Sequence, residues 1–155
     1  MSLFMEEAIA LAKAAASEDE VPVGAVIVKD DTIIATGYNL REQSRCATKH
    51  AEIIAIEAAC KVLESWRLTE CHLYVTLEPC IMCAGAILQS RIPRVTFGAP
   101  DPKGGAMGSL YELHADKRLN HMVTVSEGLL AGESSLLLKD FFRRKRESLK
   151  SIKNT

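Results

Sequence analysis

The chain has 155 residues, 48% of them hydrophobic and 25% charged, with a net charge of −1 at pH 7. That is enough apolar material for one packed core, which excludes a disordered or fibrous chain, and no apolar run approaches the roughly 20 residues of a membrane-spanning helix. Five cysteines, at 46, 60, 71, 80 and 83, form an odd and scattered set, which points away from a secreted disulfide framework and towards a reducing, cytoplasmic setting.

The opening MSLFMEEAIALAKAAASEDE is acidic and amphipathic, the wrong charge for a signal or transit peptide. Its apolar residues Phe4, Ala8, Leu11, Ala12 and Ala15 recur at helical spacing and predict a first helix. VGAVIVKDDTIIATGY reads as two β-branched strands turning at Asp30-Asp31, although Asp-Gly would be a stronger turn. HAEIIAIEAACKVL is helical, and HLYVTL is a short, largely apolar strand suited to a buried position. Pro79 opens the next helix, to about Ser90, at a first-turn position where proline is tolerated. RVTFGA is a strand, PDPKGGAMGSL a glycine-rich loop, and HMVTVSEGL contains the last strand. ESSLLLKDFFRRKRESLK closes the chain as a basic helix over about 133–150. No repeat or linker divides the sequence, so residues 1–155 read as one domain. Strands separated by helices predict an α/β layered fold with helices on both faces of a sheet. The pattern does not order the strands.

Residues 139–155 carry seven Lys or Arg against Asp140 and Glu147, so a basic tail follows an acidic body. Taken alone, that tail reads first as a solvated helix end and second as a footprint for phosphates.

The pair Cys80-x-x-Cys83 admits three explanations: a redox dithiol, half of a structural zinc site, or part of a catalytic one. In the first turn after Pro79 the two thiols share a helix face, and the helix N-terminus favours the thiolates that bind metal. A structural site usually needs four protein ligands, whereas a catalytic site keeps one position for water. The search is therefore for one more ligand and a base, among His50, His72, His114, His121, Cys46, Cys60 and Cys71.

His50 differs from the other histidines in starting an apolar helix two residues before Glu52. Residues i and i+2 of a regular helix diverge by about 200°. The two converge only if His50 sits at the cap, where its dihedrals are free. Two helix N-termini would then meet over one ion. Mixed Cys/His ligation suits zinc better than magnesium or calcium. Without His50 and the clip, Glu52 reads simply as a first-turn carboxylate.

H-A-E at 50–52 followed by P-C-I-M-C at 79–83 resembles the H-x-E…P-C-x-x-C signature of zinc-dependent nucleobase deaminases. PVGAVIV at 22–28, GYN at 37–39, SWRL at 65–68, TLEPCIMCAGAI, GAPDPKGGAMGSL at 98–110 and the closing LLLKDFFRRKR are similar to the bacterial tRNA-specific adenosine deaminase family. The likeness covers nearly the whole chain.

That resemblance implies a three-layer cytidine-deaminase-like fold with a central, mostly five-stranded mixed sheet and helices on both faces. It implies one Zn2+ per subunit on His50, Cys80 and Cys83, with Glu52 passing a proton from water to the adenine ring nitrogen. The implied reaction is hydrolytic deamination of adenosine to inosine at the wobble position of a tRNA anticodon, in a homodimer with no membrane association. Asn39 matches the family position that hydrogen-bonds the flipped base; on its own it reads equally as a turn residue. Lys103, Phe142, Arg143 and Arg144 are candidates for RNA contact, against readings as loop, core or solvated residues. Glu78 reads as a structural carboxylate. Family members often carry Pro-Thr and a small residue before H-A-E, where this chain has Ala47-Thr48-Lys49; no ligand changes. A deaminase of free guanine or cytosine shares the zinc core and is the nearest alternative. A non-catalytic zinc-bearing RNA-binding protein is the more distant one.

Overall fold

The computed structural model describes residues 2–153. Its elements are α1 (Ser2–Ser17), β1 (Gly24–Lys29), β2 (Thr32–Tyr38), α2 (Arg41–Ser44), α3 (Ala51–Leu63), β3 (His72–Leu77), α4 (Ile81–Gln89), β4 (Arg94–Ala99), a single 3-10 turn at Leu113–Ala115, β5 (Thr124–Glu127) and α5 (Ala131–Lys153). The strands form one five-stranded sheet in the order β2-β1-β3-β4-β5. β1 is antiparallel to both β2 and β3, whereas β3, β4 and β5 run parallel.

The expected hairpin forms. Asp30 and Asp31 adopt φ of 51° and 60°, and two left-handed central residues are what a two-residue hairpin turn requires to match strand twist. Short aspartate side chains tolerate that region better than branched ones do. The β1–β2 register shifts between Ile27 and Val28, which pair with Ala35 and Ile33, so Ile34 is the extra residue of a bulge.

Alternation along the central strands divides the core into two layers. Ala25, Ile27, Leu73, Val75, Val95 and Phe97 pack with Ala55 and Ala59 of α3 and with Ala84 and Ile87 of α4. Val26, Val28 and Tyr74 point the other way, against Met5, Ala8 and Ile9 of α1, with Leu137 of α5 beside them. Each fully buried Leu, Ile or Phe stabilises the fold by about 1.5–3 kcal/mol, so both faces demand helical cover. This is the layered α/β arrangement expected from the sequence.

Close approach of α3 to β2 fixes where the site can form. A Cβ on Gly37 would lie 2.4 Å from the carbonyl oxygen of Ala51, so only glycine admits the start of α3 there. β3 and β4 end side by side at Leu77 and Ala99. The chain leaving β3 therefore delivers Glu78 and Cys80 to the carboxyl edge of the parallel strands, where α/β sheets bind ligands.

Two local expectations need correction, and one element was not foreseen. The helix after Pro79 begins at Ile81, and Cys80 is its N-cap with extended backbone (φ −76°, ψ 178°) rather than a first-turn residue. An isolated bridge to Gly105 holds Cys80 extended, while its carbonyl still accepts the N–H of Ala84 at 2.8 Å. Helix α5 is longer at both ends than 133–150; it starts directly after Leu130, which turns the chain at φ 54°. Finally, REQS at 41–44 forms the short helix α2, which buries no residue and so has no hydrophobic periodicity to announce it.

Candidate active site

His50 stands at the N-cap of α3 with φ −77° and ψ 157°. That extended conformation turns its ring towards the N-terminus of α4, while Glu52 points inward from the first turn of α3. His50 Nδ1 lies 3.6 Å from Cys80 Sγ and 3.5 Å from Cys83 Sγ. The three donor atoms all fall within 4.8 Å of one another. Tetrahedral zinc, with Zn–S of about 2.3 Å and Zn–N of about 2.0 Å, separates sulfur and nitrogen ligands by about 3.5 Å. The donor set therefore fits zinc in chemistry and in spacing, with one coordination position left for a non-protein ligand.

Electrostatics hold one of the three donors, Cys80, in its ligating thiolate form. Cys80 is pushed down to about 3, first by the hydrogen bond from Cys83 and, against burial, by His50. The same bond, with burial, pushes Cys83 up. His50 is raised, chiefly by its hydrogen bond to Cys80. A cation binding the set displaces the protons that Cys83 and His50 hold. Glu52 is only 4% exposed and is pushed up to about 7, first by burial and then by the Cys80 thiolate.

These residues open onto a pocket of about 250 Å³. His50, Glu52 and Cys80 form its floor. One lip is built from Asn39, Arg41 and Glu42, the other from Glu78 and Asp101. Asn39 is 7% exposed; its Nδ2 donates to the carbonyl of Val21 at 3.3 Å and its Oδ1 accepts from the N–H of Arg41 at 3.3 Å. It is thus both a turn residue and a lining residue. Glu78 is a structural carboxylate, accepting the backbone N–H groups of Asp101, Met107 and Ser109, each at 3.0 Å, and the Ser109 hydroxyl. Burial alone would raise it, but these four donors together hold it below the ordinary carboxylate range.

The candidates for RNA contact lie further out. Lys103 is exposed on the 101–109 loop, outside the pocket. On α5, Phe141 is 5% exposed and anchors the helix, whereas Phe142 is 44% exposed. Arg143 pairs with Asp140 at 3.4 Å and Lys145 with Asp19 at 2.6 Å, while Arg144 donates to the carbonyl of Asp140 at 3.4 Å. A groove beside Phe142 and Lys145, also lined by Glu18 and Asp19, shares Val21 and Glu42 with the pocket, so the two are adjacent. Sequence reasoning missed Glu20, Arg41 and Glu42 as pocket residues, since nothing distinguishes them locally from solvated charges.

The MafB19-like deaminase family matches residues 2–146. The tRNA-specific adenosine deaminase of Bacillus subtilis is 48% identical over 151 residues, covering 97% of this chain and 94% of that one. The chain belongs to the tRNA-specific adenosine deaminase family. Its Haemophilus influenzae relative of that name is 48% identical over 147 residues, covering 94% of this chain and 85% of the relative. A solved structure from work on A-to-I editing by tRNA:A34 deaminases at the wobble position of transfer RNA superposes with a TM-score of 0.86. Its sequence is 44% identical, and the match covers 89% of this chain and all of the other. A guanine deaminase from Nitrosomonas europaea superposes with a TM-score of 0.79 at 25% identity, covering 90% of this chain and 83% of its own. The five-stranded mixed sheet is thus the deaminase fold, and this family member is a hydrolytic deaminase with a His-Cys-Cys candidate metal site. No helix among its described residues is long and apolar enough to cross a membrane.

Proposed function

We propose that this chain is a zinc-dependent deaminase that converts adenosine to inosine at the wobble position of a tRNA anticodon, with one Zn2+ per subunit. The observation that carries the reading is the buried Glu52 carboxyl directly beside a three-donor set, at the floor of a pocket. When bound, zinc supplies Lewis acidity that brings the pKa of water towards neutrality.

Hydrolysis replaces the 6-amino group of adenine with an oxo group. Water provides the oxygen, and the amino group leaves as ammonia. Glu52 carries both protons in this account: it accepts one from water and gives it to the ring nitrogen, then takes the second from the new C6 hydroxyl and gives it to the leaving amine. A carboxyl pushed up to about 7 by burial exchanges protons readily in both directions at neutral pH. Asn39 orients the base with its amide, and the walls of the pocket keep bulk water from the reacting carbon.

RNA rather than a free base is the substrate in this reading because the similar proteins are tRNA deaminases, and a groove lined by Phe141, Phe142 and Lys145 of α5 borders the pocket. Phe142 offers a face for an unstacked base, while Arg143, Arg144 and Lys103 take phosphates. A second copy of the chain covers the apolar surface at Ile81 and Leu119, which are 59% and 42% exposed. Glu52→Ala tests the assignment of the base. The variant keeps its zinc and loses deamination by a factor of about 10²–10⁴; an unchanged rate would remove Glu52 from the chemistry.

A further inference from the structure

Glu20 has no exposed surface, although it lies in the acidic run SEDE at 17–20, just past the end of α1. Its two carboxylate oxygens accept the backbone N–H groups of Glu42 at 3.0 Å and of Gln43 at 2.7 Å. These are the second and third residues of α2, whose own N-cap, Leu40, has no side-chain oxygen and makes no capping bond. The cap is therefore supplied from 22 residues away. Among the described residues no Lys, Arg or His forms an ion pair with Glu20.

Burying a carboxylate without a counter-ion is costly. Stability of α2 does not account for that cost, because a four-residue helix that buries nothing contributes little. What the clamp does achieve is placement. Gln43 Nε2 donates to the carbonyl of Glu18 at 3.0 Å, the N–H of Asn39 donates to Val23 at 3.1 Å, and Asn39 Nδ2 donates to Val21. The lip at 39–43 is thus laced to the 18–23 segment by hydrogen bonds, with Glu20 as its buried centre. Glu20, Asn39, Arg41 and Glu42 all line the pocket.

We propose that Glu20 is a positioning residue for substrate binding: it caps α2 from beneath and so fixes the 39–43 lip, including Asn39 and Arg41, in the geometry that receives the target nucleoside. The role rests on the deaminase reading. Glu20 touches neither the donor set nor Glu52, so its contribution lies in binding and not in the chemical step.

Glu20→Gln keeps the size of the side chain but leaves a single acceptor oxygen, so one of the two N–H groups loses its partner. With an anticodon stem-loop as substrate, and at a temperature where both proteins are folded, KM rises about tenfold. The turnover number stays within about twofold and the zinc content is unchanged. Amide exchange at residues 42 and 43 accelerates by about tenfold or more in the variant. An unmoved KM, a fall in kcat at constant KM, or unchanged exchange at both amides overturns the proposal. A wild-type chain inert on the stem-loop overturns the activity itself, and is read separately from an active wild type whose KM the substitution leaves alone.

Discussion

Gly105 leaves the space that the Glu78 carboxyl occupies: a Cβ at residue 105 would lie 2.2 Å from Glu78 Cδ. The two residues come together because the bridge between Cys80 and Gly105 draws the glycine-rich loop across the end of β3. The Glu78 carboxyl then gathers donors from Asp101, Met107 and Ser109. Glu20 does the same for the opposite lip, so a buried carboxylate organises each side of the pocket.

Gly105→Ala is therefore expected to displace Glu78 and release several of its hydrogen bonds. The stability loss is about 2–3 kcal/mol, as for a strained or unsatisfied buried polar group, and should appear as a lower midpoint in urea unfolding. Turnover falls with it, because Asp101 lines the pocket. A variant as stable as the parent would mean that the loop does not depend on this fit.

Stability should also respond to pH through His72. Its Nε2 meets Thr96 Oγ1 at 2.7 Å, and its ring stacks on Tyr74 at 4.2 Å. Burial first, and then Arg94, pushes it down to about 4. The unfolded chain takes up this proton near pH 6.5, whereas the folded chain resists until about pH 4. Unfolding is therefore favoured progressively as pH falls through that window, and stability rises as pH returns. Allowing for partial solvent contact, His72 accounts for about 1–2 kcal/mol of the change. Unfolding midpoints of the parent and of His72→Gln should converge between pH 7 and pH 4 by that amount; parallel curves would speak against a neutral, buried imidazole.

Arg143→Ala combined with Arg144→Ala is expected to weaken RNA binding and to reduce the slope of log affinity against log salt by about one to two. Filter binding at several salt concentrations measures both. If affinity and slope stay as in the parent, the basic end of α5 is a solvated helix end, with the Arg143–Asp140 pair as surface decoration.

What could be read from the sequence depended on whether the signal was local. Divergence of residues i and i+2 on a helix required His50 to be a cap, and its ψ of 157° meets that requirement. The hairpin at Asp30-Asp31 and the burial of β3 were likewise written in short patterns. The extended backbone of Cys80 was not, because it depends on Gly105, a partner outside any local window. Glu20 was hidden for the same reason. Within SEDE it matches its acidic neighbours, and its partners are main-chain N–H groups that carry no residue-type signature. The bulge at Ile34 depends on register and left no mark in the alternation of residues.

The central claim is that the pocket above His50, Cys80, Cys83 and Glu52 acts on an adenosine presented in an RNA loop. Incubating the zinc-loaded protein with an anticodon stem-loop bearing adenosine at the wobble position, and in parallel with free guanine and cytosine, tests it most directly. The expected result is inosine at that one position by sequencing, with the free bases unchanged; turnover of guanine or cytosine with the stem-loop left intact would contradict the account.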